Sequence, residues 1–154
     1  MDRGDERSRV GEGEPPVGLV ERAASLARAR HATEHAINFY ARGVPLLRES
    51  DVRRRLDALH DYGDVLQRVG DYDGAIARFR EMLAIAYRLG LKAKGGVAHN
   101  RIGRVHRASG RLDEALRHLG TGHALFDAVG DLRGIAASFD DTGRVHLLRG
   151  DYAA

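Results

Sequence analysis

The sequence contains no cysteine and no tryptophan, and only three prolines in 154 residues. Without cysteine there can be no disulfide, no thiolate metal site and no cysteine nucleophile, a composition that fits a reducing compartment. Two of the prolines, Pro15 and Pro16, fall near the N-terminus, so Pro45 alone interrupts the rest of the chain. No apolar run approaches the ~20 residues that cross a bilayer. The opening Met1-Asp-Arg-Gly-Asp-Glu-Arg7 is charged where a signal peptide needs an apolar segment, and a cytoplasmic protein with no membrane partner is expected. Charge of one sign is also scarce: 25 basic and 22 acidic residues are interspersed, for a net charge of +3. A nucleic-acid footprint needs its basic groups gathered on one face. The short run Arg53-Arg54-Arg55 reads as a solvated helix face, so nucleic acid is not expected to contact this chain.

Glycine is plentiful, and it is periodic. Gly63 and Gly70, Gly103 and Gly110, and Gly143 and Gly150 are three pairs with the same internal spacing, set 40 residues apart. Each pair sits between apolar helical patterns, so the phrase reads as the end of one helix, a tight turn and the start of the next. Self-similarity at a fixed period of this size predicts a solenoid of helix pairs. Gly70, Gly110 and Gly150 are suited to left-handed helix C-termini. Gly63, Gly103 and Gly143 lie inside helices, where each costs about 1 kcal/mol relative to alanine. Close approach of the following helix, with its small Ala75 or Ala115, is the compensation expected.

In chain order, residues 1–16 hold many charges, three glycines and two prolines with almost nothing apolar, and are expected to form a disordered tail or linker. The repeat domain is expected over 17–154, with repeats at about 17–49, 50–90, 91–130 and an incomplete 131–154. The first is a diverged pair: one helix to about Arg30, a second from Ala32, with a kink or fraying at Pro45. Later helices are expected to end near Val69, Gly90, Gly110, Gly130 and Gly150. Asp151-Tyr152-Ala-Ala154 reads as the opening of a further helix, which suggests a fragment of a longer protein and weak self-association through an uncapped C-terminal end.

These residues resemble the tetratricopeptide repeat (TPR). The small residue of the first helix (Gly63, Gly103, Gly143), the turn (Gly70 with Tyr72, Gly110 with Leu112, Gly150 with Tyr152), the alanine of the second helix (Ala75, Ala115) and the large residue one turn later (Phe79, Leu119) carry the likeness. It covers residues 50–154 well and 18–49 weakly. The period of 40 exceeds the usual ~34, and the proline that commonly follows the second helix is missing. This long form resembles the arrays of kinesin light chains, Pins-like adaptors and large bacterial signalling regulators. The resemblance implies an all-α, right-handed α-solenoid of antiparallel helix pairs. It also implies a protein-interaction scaffold without catalysis or cofactor, or alternatively the sensor arm of a multidomain transcriptional or signalling ATPase, kinase or cyclase.

In stacked pairs the first helices line the concave side, and stepping by 40 from the glycine anchors gives three rows there: His60, Asn100, Asp140; Asp64, Arg104, Arg144; Gln67, Arg107, Leu147. Asn100 can donate to and accept from a peptide main chain, and the arginines offer forked donors to carboxylate or phosphate. An acidic protein or peptide partner is expected, the competing reading being that Asp64 and Asp140 pair with these arginines and leave the groove self-satisfied. His31, Glu34 and His35 match a zinc-hydrolase motif, His-x-x-Glu-His. No third ligand accompanies them, so a solvated helix start is preferred and neither a metal nor a catalytic residue is assigned. His99, His106 and His146 read as interface histidines.

Overall fold

The computed structural model describes residues 17–151; the expected tail at 1–16 and the helix start at Tyr152–Ala154 lie outside the described residues. Among the described residues every regular element is helical: α1 (Val17–Gly43), a short 3-10 turn at Val44–Leu46, α2 (Val52–Arg68), α3 (Tyr72–Arg88), α4 (Lys92–Ala108), α5 (Leu112–Val129) and α6 (Leu132–Arg149). The chain divides into two units, residues up to Glu34 and residues from His35.

The first unit corrects one expectation. Where a break near residues 30–32 is expected, α1 runs on without interruption. The reason is local: no glycine or proline occurs between Leu19 and Arg42, and the segment supplies its own helical support. Arg30 Nε donates to Glu34 Oε1 at 3.1 Å, and Thr33 Oγ1 donates to the Ala29 carbonyl at 2.9 Å. Leu19, Val20 and Leu26 are exposed. The helix stops at Gly43, as a helix should when the residue before a proline resists the helical conformation; Pro45 then sits in the 3-10 turn.

In the second unit consecutive helices pack in antiparallel order, α2 on α3, α3 on α4, α4 on α5 and α5 on α6, and α4 also touches α6. The turns between them are nearly identical. Gly70, Gly90, Gly110, Gly130 and Gly150 all have φ between 66° and 82°, a conformation that side chains resist and glycine adopts freely. At the first of these, Asp71 N–H reaches back to the Leu66 carbonyl at 2.9 Å and Gly70 N–H to that of Gln67 at 3.0 Å, satisfying the last carbonyls of α2. The same bonds recur at each later glycine. Asp71 and Asp131 go on to cap the next helix, accepting from Gly74 N–H and Gly134 N–H.

The core forms along the pairs. Leu56, Leu59, Met82, Ile85 and Ala98 make one cluster; Leu66, Ala75, Ile76, Phe79, Ile102 and Val105 make the next; Ala115, Leu119 and Val145 make a third. Tyr40, from the end of α1, stacks on Tyr62 at 5.7 Å. Close approach is confirmed at two interior glycines. A Cβ on Gly63 would stand 2.5 Å from the Phe79 ring, and one on Gly103 would stand 2.9 Å from Leu119 Cγ and 3.2 Å from the Ala115 carbonyl oxygen. The incoming group is thus the large residue rather than the alanine, which instead lets the backbones meet. Gly143 departs from the expectation, because among the described residues no atom of another element lies within 4 Å of its Cβ position.

Candidate functional site: an arginine-lined groove

The first helices α2 and α4 leave between them an open groove of about 560 Å³, lined by Asp64, Gln67, Arg68, Arg101, Arg104 and Ala108. Asp64, Gln67 and Arg68 share one face of α2, and Arg101, Arg104 and Ala108 one face of α4, because residues three and four apart stand together on a helix. Arg107 stands one turn beyond Arg104. Two carboxylates hold this set. Arg101 reaches Asp64 at 3.2 Å. Arg104 Nε donates to Asp141 Oδ2 at 2.7 Å and Arg107 to Asp141 Oδ1 at 3.4 Å, with the Asp141 side chain only 4% exposed. Burial lowers the pKa of Arg101, an effect that Asp64 opposes; guanidinium starts so high that it stays charged. Arg68 is exposed and has no acidic partner within 4.0 Å among the described residues. Three guanidinium groups therefore share two carboxylates, with Arg68 beside them.

The residues expected in the groove do not all meet there. Asp64, Gln67 and Arg104 line it. His60 is half-buried beside Asp61 and Asp64, at 3.2 and 3.9 Å. Asn100 is a correction: at 5% exposure it faces α6 instead of solvent. Its Nδ2 donates to Ser138 Oγ at 3.0 Å, and that hydroxyl can donate onward to the Gly134 carbonyl. Buried between helices, the side chain is closed to a ligand's main chain. Asp140 and Arg144 pair with each other on exposed α6 at 3.0 Å and, with Leu147, line a separate groove. Asp64 and Asp140 do each pair with an arginine, Arg101 and Arg144, while the main anchor, Asp141, went unlisted among the candidate residues because it lies one residue off the rows stepped by 40.

A second polar cluster joins α3, α4 and α5. Tyr87 Oη lies 2.7 Å from His99 Nε2, His99 Nδ1 lies 3.0 Å from His118 Nδ1, and the His106 and His118 rings stack at 5.3 Å. Arg111 Nε donates to His106 Nδ1 at 3.0 Å. Burial, then the neighbouring His99 and His106, push the His118 pKa down to about 4; burial also lowers His99 and His106. The rings are neutral partners that cross-link helices, as the interface reading expected of His99 and His106. His146 instead stands half-exposed beside Asp151. Glu34 of the zinc-motif segment is engaged by Arg30 at 3.1 Å and faces His31 at 3.8 Å, all exposed. Among the described residues no group of three or more His, Asp or Glu side chains converges as metal ligands, and no helix is long and apolar enough to cross a membrane.

Stacked antiparallel helix pairs with glycine turns and an all-α content define a right-handed, TPR-like α-solenoid. Among solved structures, the apo form of RapI is similar to this chain in fold, with a TM-score of 0.70 at 16% sequence identity over 92% of this chain and 53% of that one. The chain thus spans about half the length of that structure. No protein-family model and no curated protein matches the sequence.

Proposed function

We propose that this chain is a protein-interaction scaffold whose α2–α4 groove holds an acidic segment of a partner protein, and that the array serves as the interaction arm of a larger regulatory protein. The observation that supports the groove assignment is the excess of guanidinium groups: Arg68, Arg101, Arg104 and Arg107 against Asp64 and Asp141. A carboxylate entering there meets forked donors of which Arg101, Arg104 and Arg107 are already held in place by Asp64 and Asp141, so little of their side-chain entropy is lost on binding. Asp64 gives selectivity, since a segment without negative charge would have to compete with it for Arg101. The groove is open, which suits a peptide better than an enclosed small molecule.

The test uses a hexaglutamate peptide and its hexaglutamine analogue as probes. Arg68 is the position to change, because it is exposed and anchors nothing, whereas reversing Arg104 would set a second acid beside buried Asp141. Saturable binding of hexaglutamate, weakened by salt and at least tenfold by Arg68→Glu with the fold intact, is expected. Equal affinity for both peptides, or no effect of Arg68→Glu, would overturn the assignment.

A further inference from the structure

The α2–α4 groove holds more positive charge and more donors than its own acids use. Arg101 reaches Asp64 through Nη1 and Arg107 reaches Asp141 through Nη1, while Arg104 is held on Asp141 through Nε. A guanidinium has five N–H donors in a fixed fork. Held at its inner nitrogen, Arg104 keeps both terminal nitrogens for another acceptor. Arg68 stands exposed across the groove with no acidic partner among the described residues. Four guanidinium groups against Asp64 and Asp141 leave an excess of two positive charges. Gln67 and Ala108 complete the lining with a neutral amide and a methyl group.

We propose that the acidic segment held here carries a phosphorylated serine or threonine, and that this one side chain takes the arginine set. The proposal rests on the α2–α4 groove being the binding face and adds the chemistry of what enters it. Spacing supports a single anchoring residue. Arg101 and Arg104 are three residues apart, about 4.5 Å along α4, whereas side chains on one face of an extended segment stand about 6.6 Å apart. One side chain of the segment, not two, therefore meets both arginines together. A carboxylate brings one negative charge and two oxygens to that point. A phosphomonoester brings a charge of about −1.5 to −2 and three strong acceptor oxygens, which matches the excess charge and takes up more of the donors. The forks of Arg68 and Arg104 suit its paired oxygens. A phosphotyrosine ring would need an apolar wall, and among the lining residues only Ala108 is apolar.

Three heptapeptides serve as probes, each with six glycines around one central residue: phosphoserine, glutamate or serine. In calorimetric titration into the full chain at pH 7.5 and low salt, the phosphoserine peptide is expected to bind saturably at one to one. It should bind at least tenfold more tightly than the glutamate peptide, with the serine peptide unbound. Arg68→Gln removes a guanidinium that anchors nothing and is expected to weaken the phosphoserine peptide at least fivefold. Arg53→Gln, at a position 95% exposed at the other end of α2, should leave it unchanged. Inorganic phosphate should bind at least threefold more weakly than the peptide, because it offers no main chain to Gln67. Equal affinity for the phosphoserine and glutamate peptides, both lowered by Arg68→Gln, would overturn the phosphate assignment and leave the acidic groove standing. Inorganic phosphate bound as tightly as the peptide would overturn it in favour of a free anion. Insensitivity to Arg68→Gln, or no saturable binding of the phosphoserine peptide, would overturn it as well; whether the same protein then binds hexaglutamate decides if the groove assignment falls with it.

Discussion

Arg104 and Asp141, 37 residues apart and joined at 2.7 Å, repeat with their charges exchanged the pairing of Asp64 and Arg101, also 37 apart and joined at 3.2 Å. Successive first helices are thus tied at the same register by an ion pair of alternating polarity. The later rung is the more buried, with 4% exposure at Asp141 against 28% at Asp64. Removing one partner of a buried pair leaves an uncompensated charge, whereas exposed pairs contribute little. Asp141→Ala is therefore expected to cost about 2–3 kcal/mol and Asp64→Ala about 0.5–1 kcal/mol in urea unfolding. Equal losses would remove the distinction between the two rungs.

The interior glycines sort by what stands over them. Gly103→Leu is expected to destabilise by about 1–3 kcal/mol or more through overpacking, and even Gly103→Ala should lose stability, since its methyl meets Leu119 at 2.9 Å and the Ala115 carbonyl oxygen at 3.2 Å. Gly143→Ala, in open space, should gain about 0.5–1 kcal/mol from helix propensity. Thermal melts of the three variants give the order directly, and a Gly103→Ala protein as stable as Gly143→Ala would show that the pair is not held at close approach.

Protonation should loosen the α4–α5 pair. The folded chain holds His118 at a pKa of about 4, below the unfolded value of 6.5. Above pH 6.5 both states are neutral and the stability is complete. As pH falls from 6.5 towards 4 only the unfolded chain takes the proton, so stability is lost, and below about 4 the loss levels off. His118 is half-buried and faces His99, His106, Arg80 and Arg117. With solvent screening allowed for, the loss expected is about 1–2 kcal/mol. His118→Gln should flatten this part of the pH profile relative to the parent; parallel profiles would contradict the assignment.

The turns were legible in the sequence because the left-handed conformation at a helix end has one cheap solution, and Gly70, Gly110 and Gly150 announce it. Gly63 and Gly103 were legible as notches because an interior glycine demands compensation. What fills them was less so, since whether Ala75 or Phe79 enters the space depends on helix rotation. The long α1 ran against the repeat because analogy, rather than a stop signal, placed a break near Arg30. Asp141 and Ser138 escaped because the search stepped by 40 along equivalent positions, while the bonds of Arg104 and Asn100 cross between helices at steps of 37 and 38. Glycines packed against a distant ring, such as Gly96 and Gly134 on Phe126, leave no local pattern at all.

The groove assignment is tested most directly by following backbone amide shifts while hexaglutamate is titrated into the protein. The account predicts saturable shifts confined to the groove faces of α2 and α4, at Asp64, Gln67, Arg68, Arg101, Arg104 and Ala108, with α3 and α5 unmoved. Shifts spread evenly over exposed arginines of all the helices, or concentrated on α3 and α5, would contradict it.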